Sequence, residues 1–112
     1  MNLEEIREYC LTKPHCEETL PFGPDVLVFK TNNKAFLLLP LDEQPVRFNV
    51  KCDPELALHL REKYPAVIPG YHMNKKHWNT IKMDGSVAPK LMKEWIDHSY
   101  DLVRAKIKNK SK

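Results

Sequence analysis

Between Val46 and Cys52 every second residue is apolar. Val46, Phe48, Val50 and Cys52 fall on one side of an extended chain, and Arg47, Asn49 and Lys51 on the other. The alternation predicts a half-buried antiparallel strand with a row of polar groups turned outward. Upstream, "DVLVFK" (25–30) and "AFLLLP" (35–40) predict two further strands, joined by "TNNK", whose asparagines suit left-handed backbone. "HWNTIKM" (77–83) alternates as well, setting Trp78, Thr80 and Lys82 against His77, Asn79, Ile81 and Met83.

Helical periodicity marks three other segments. Asn2 and Glu5 have capping-box spacing; Ile6, Tyr9, Cys10 and Lys13 then share a face, and Pro14 stops the helix. Asp53 followed by Pro54 opens a second helix, with Leu56, Leu60 and Tyr64 inward. "DGS" (84–86) is expected to cap a long helix from about 87 to 108, carrying Leu91, Trp95, Leu102 and Val103 inward. Residues 14–24, with three prolines and a glycine, predict an ordered loop, and "AVIPG" (66–70) a short extended stretch. Helix, three-strand meander, helix, strand and long helix make a two-layer α+β domain.

Its 112 residues support one core, so residues 1–112 form a single domain with a lysine-rich tail from about 106. No apolar run approaches the roughly 18 residues of a membrane span. The acidic, amphipathic N-terminus is no secretory signal, and the expected compartment is the cytoplasm. Cys10, Cys16 and Cys52 form no CxxC pair and read as reduced thiols. Charge is uneven: residues 1–62 carry seven Lys/Arg against eleven Asp/Glu, residues 63–112 eleven against four, giving −4 and +7. A basic half favours a polyanionic partner.

The densest chemistry lies in "GYHMNKKHWNT" (70–80). As a metal site it is poor: His72 and His77 are five apart, without a nearby cysteine pair or a third ligand. As a catalytic site it lacks a local carboxylate or nucleophile to pair with histidine, and the chain holds no GxSxG, P-loop, Rossmann or HExxH pattern. As a nucleic-acid surface it is better equipped. Lys75 and Lys76 offer phosphate contacts, Asn74, Asn79 and Thr80 polar donors, and His72, His77 and Trp78 rings. Arg47 and Lys51, outward on their strand, extend the patch. The competing reading makes Trp78 core packing and the lysines a solvated turn.

The run "HMNKKHWNTIKMDGS", with "YC" in the first helix, "KP" ending it and "DPELALHLREKYPAVIPGYH" just upstream, resembles the MmcQ/YjbR family of small bacterial proteins. His72, Met73, Asn74, Lys75, His77, Trp78, Thr80, Ile81, Asp84 and Gly85 match the family pattern, and the likeness spans essentially the whole chain. The resemblance implies a frataxin-like (CyaY-like) arrangement, an antiparallel sheet with helices packed on one face, and a DNA-binding role. The expectation is therefore a monomeric, non-enzymatic domain without cofactor or metal. It would bind DNA weakly and salt-dependently through Arg47, Lys51, His72, Asn74, Lys75, Lys76, His77 and Asn79. Two alternatives stay open. One is a module for an unidentified small molecule or protein. The other is a frataxin-like metal binder using Glu4, Glu5 and Glu8 with Glu17 and Glu18, carboxylates that Arg7 interrupts.

Overall fold

A computed structural model describes the backbone of residues 1–70 and 73–110, with side chains as far as Arg104. Helix α1 (Leu3–Leu11) starts as the spacing predicts. Asn2 Oδ1 accepts from the Glu5 N–H at 2.8 Å, and Glu5 Oε1 accepts from the Asn2 N–H at 3.0 Å. Strands β1 (Glu17–Thr19), β2 (Val26–Thr31), β3 (Lys34–Pro40) and β4 (Arg47–Lys51) follow. Then come helix α2 (Pro54–Lys63), strands β5 (Val67–Pro69) and β6 (Trp78–Lys82), and helix α3 (Pro89–Lys110). Asn32 and Asn33 both have positive φ, 54° and 62°, which closes the β2–β3 hairpin as their residue types foretell.

The strands form one antiparallel sheet in the order β1-β2-β3-β4-β6-β5. Leu37 and Leu39 on β3, Phe48 and Val50 on β4 and Ile81 on β6 point to one face, where α1 supplies Ile6 and Cys10. Helix α3 completes this core with Met92, Trp95, Ile96, Tyr100 and Val103, all buried. The two helices are tied at their surface, where Asp97 accepts from Tyr9 Oη at 2.6 Å and from Lys13. Ser99 performs a similar task inside. Its Oγ, wholly buried, donates to the Phe36 carbonyl at 2.5 Å and accepts from the Lys51 N–H at 2.8 Å. Phe36 sits where the β2–β3 register shifts, so α3 holds the sheet at its irregular point.

Three expectations need correction. The 14–24 segment is not all loop: Glu17–Thr19 pairs with β2 as an edge strand, because β2 offers its free side there. "DGS" does not cap α3. Asp84 accepts from the Ser86 N–H (2.9 Å) and Oγ (2.6 Å), closing its own turn, and α3 begins later at Pro89. Leu91 and Leu102 lie only half-buried, flanking the stripe formed by Met92, Trp95, Ile96, Ser99, Tyr100 and Val103.

Candidate functional site

The turn entering β6 is built by its own asparagine. The Asn74 carbonyl accepts from the N–H groups of His77 (3.1 Å) and Trp78 (3.0 Å), while Asn74 Oδ1 accepts from the Lys76 N–H at 3.0 Å. Asn74 thus commits its oxygens to the turn, which leaves Lys75 and Lys76 exposed at its tip. Arg61, from the last turn of α2, fastens this turn from behind. Its guanidinium donates to the carbonyls of Lys75 and Trp78 (the latter at 3.2 Å), and through Nε to Asn79 Oδ1 at 2.7 Å. Asn79 is 1% exposed on the helix side of β6, its Nδ2 reaching the Ala57 carbonyl at 3.4 Å. It cannot meet a nucleic acid. The expectation that Asn79 belongs to a contact surface needs correction, because its amide is buried on the helix side and both its oxygen and its nitrogen bond to residues of α2.

The opposite face of the sheet is different. The β4–β6 register sets Arg47 against Lys82, Asn49 against Thr80 and Lys51 against Trp78. These six side chains alternate away from the helices. Trp78 is half-buried on this face, not core packing as one reading held; the core-facing neighbours on β6 are Asn79 and Ile81. Its Cβ lies so close to Gly70 on the neighbouring strand side that a β-carbon there would stand 2.8 Å away. Lys51 also lines a hollow of about 380 Å³ with His77, Asp53 and Leu102. Lys51 and His77 thereby meet at the end of the sheet, beside the helices, that carries the Lys75–Lys76 tip, and Trp78 joins them through its register with Lys51. Arg47 is separated from them, at the far end of β4. His72 lies outside the described residues.

Near Arg47 the same face is concave. A cavity of about 550 Å³ is walled by Val26, Leu38 and Pro40 of the sheet, with Phe22 from the β1–β2 loop and Met73 from the motif. Asn49 and Thr80 lie at its floor, both buried, Thr80 Oγ1 donating to Asn49 Oδ1. Asp42, Glu43 and Arg47 supply the charges. Arg47 Nε is buried without a hydrogen-bond partner among the described residues. Glu43 Oε1 stands 3.9 Å from it, an ion-pair distance beyond hydrogen-bonding range. Sequence reading missed this cavity and the role of Arg61, since both join residues far apart in the chain.

The acidic segment offers little to a cation. Arg7 pairs with Glu18 and Glu4, and Glu5 is spent on the α1 cap. Among the described residues, no three His, Cys, Asp or Glu side chains converge as metal ligands. Burial holds all three thiols above their ordinary range, Cys16 and Cys52 at about 11 and Cys10 higher still, which favours the inert, protonated form.

Residues 11–102 match the YjbR family model. The chain belongs to the YjbR family. Among YjbR-type relatives, YbdF of Escherichia coli O157:H7 is 36% identical over 100 residues, covering 89% of this chain and 82% of YbdF. YjbR of Escherichia coli K12 is 31% identical over the same length, covering 89% and 85%. Solved structures agree in fold. The Deinococcus radiodurans protein DR2400 superposes with a TM-score of 0.86 at 38% identity, over 91% of this chain and 78% of its own. A Pseudomonas syringae protein gives 0.81 at 30% identity, over 92% and 99%. The YjbR match takes in the Asn74–Trp78 turn, Arg61 and the cavity together.

Proposed function

We propose that this YjbR-family domain binds nucleic acid, without catalysis, through the end of its open sheet face where Lys51 and Trp78 meet the Lys75–Lys76 tip. The observation that carries the reading is the pairing of Lys51 with Trp78 across β4 and β6, at the end of the sheet where the Lys75–Lys76 tip projects. A cation beside a half-exposed indole suits a strand whose phosphates seek charge and whose bases seek a stacking surface. His77 adds a second ring, and Lys75 and Lys76 project from a turn that Arg61 holds rigid. Arg47 contributes least, because Glu43 and Asp42 lie beside it and repel phosphate. Asn74 and Asn79 serve the framework.

Fluorescence anisotropy with labelled single-stranded and duplex oligonucleotides tests this. Binding should weaken as salt rises, and replacing Lys75 and Lys76 by Ala should flatten the log–log salt slope by about 1.5 units. Trp78→Ala should weaken single strands more than duplex. Deletion from Lys106 is the control for nonspecific attraction by the tail. Loss of binding in that deletion, with the double-lysine variant unchanged, would refute the site.

A further inference from the structure

The cavity over Asn49 and Thr80 has the make-up of a binding site in its own right. Its volume of about 550 Å³ lies within the range of small-molecule pockets. Its walls are apolar, and Phe22 at its mouth is 72% exposed, a large ring left in solvent that a bound molecule would cover. Against these walls stands one mismatched polar group, the buried Arg47 Nε, which has no acceptor among the described residues. Buried donors are rarely left unpaired, and one at a cavity wall asks for its acceptor from the cavity. The adjacent strand sharpens the demand, since Lys82 lies directly opposite Arg47 and two cations in register repel.

We infer that this cavity takes a small, largely apolar carboxylic acid, its carboxylate seated on the Arg47 guanidinium and its apolar body between Leu38, Pro40, Phe22 and Met73. A planar guanidinium matches a carboxylate with two parallel hydrogen bonds. Asp42 and Glu43 at the wall select against polyanions: a phosphate group with two charges is repelled by them about twice as strongly as a single carboxylate, which the Arg47 guanidinium, with Lys82 opposite it on the next strand, is better able to hold. The ligand class is therefore distinct from a nucleic-acid strand, and the site stands independently of the Lys75–Lys76 tip.

The test titrates the isotopically labelled full chain with 4-phenylbutyrate and, in parallel, with its uncharged amide, following backbone resonances. Saturable shifts are expected at Leu38, Asn49 and Thr80, with the acid bound about tenfold more tightly than the amide. Arg47→Gln should erase that preference and leave the amide's affinity in place. Leu38→Trp, which fills the cavity, should abolish binding of both probes while oligonucleotide affinity stays at the parent's value. Equal affinity for acid and amide would overturn the inference. So would the lack of saturable shifts at those residues up to about 10 mM probe, a concentration that fills about nine-tenths of a site with a Kd of about 1 mM. The acid–amide comparison uses the unaltered chain and holds even if Leu38→Trp does not fold. Oligonucleotide anisotropy on the same samples decides the nucleic-acid reading separately.

Discussion

Replacing Arg61 by Met should loosen the functional turn more than it harms the core. The thioether chain keeps much of the aliphatic stem but deletes the guanidinium contacts to Lys75 O, Trp78 O and Asn79 Oδ1. Arg61 is half-exposed, so each lost contact is worth only about 0.5–1.5 kcal/mol net. Asn79 is the costlier partner. At 1% exposure its Oδ1 would be stranded, adding about 1–3 kcal/mol. Since such losses overlap, a total of about 2–4 kcal/mol is expected, equivalent to a melting shift of roughly 10–25 °C for a domain of this size. Urea unfolding followed by tryptophan fluorescence measures the sum. Hydrogen exchange at the His77 and Trp78 amides, which bond the Asn74 carbonyl, measures the local part and should accelerate beyond the global change. A double-mutant cycle with Asn79→Ala should return a coupling of about 1–2 kcal/mol. An Arg61→Met protein within about 0.5 kcal/mol of the parent, or one whose turn amides stay protected, would refute this account of the turn.

Ser99→Ala should cost about 1–3 kcal/mol by chemical denaturation, because it removes at once the bonds that Oγ makes to the Phe36 carbonyl and the Lys51 N–H; a loss under about 0.5 kcal/mol would mean the sheet relaxes around them. Gly70→Ala places a carbon 2.8 Å from Trp78 Cβ and 3.0 Å from its carbonyl oxygen, so a destabilisation of about 1–3 kcal/mol is expected, and an unchanged melt would show that β6 yields freely. With Cys16 at about 11, only about a thousandth is thiolate at pH 8, so a disulfide reagent should react far more slowly with the folded than the unfolded chain; rapid stoichiometric labelling would contradict it. Burial raises Cys52 from 9.0 to about 11, so the unfolded chain releases this proton first. The stabilisation is whole below pH 9 and fades toward pH 11, and Cys52→Ala should flatten that decline relative to the parent.

Much of the framework was legible in the chain because it is encoded locally. The alternation through Val46–Cys52, the paired asparagines of the hairpin, and Asp53 before Pro54 each describe a neighbourhood of a few residues, and each element forms there. What escaped depends on distant partners. "EET" has no apolar residue to mark a strand, and β1 exists only through its pairing with β2. Asn79 looks like a surface donor until Arg61, eighteen residues earlier, claims its oxygen. Trp78 looks like core because it is large, yet the register turns it to the open face, and Asn79, the less obvious residue, goes inside. The cavity joins a β1–β2 loop residue, four strands and Met73, a combination with no sequence period.

The outermost strands of the sheet, β1 and β5, are each three residues long. Two carboxylates, Glu17 and Glu18, occupy one margin, and Pro69, which has no N–H to offer, closes the other. An unfolding neighbour on a ribosome or in a concentrated solution would find too little ladder there to add a strand of its own. The domain is thereby guarded against fibril-like growth, a hazard for any protein that leaves one face of a sheet uncovered. Contact with other macromolecules is left to side chains on that face, where charge and shape can choose among partners in a way that backbone pairing cannot.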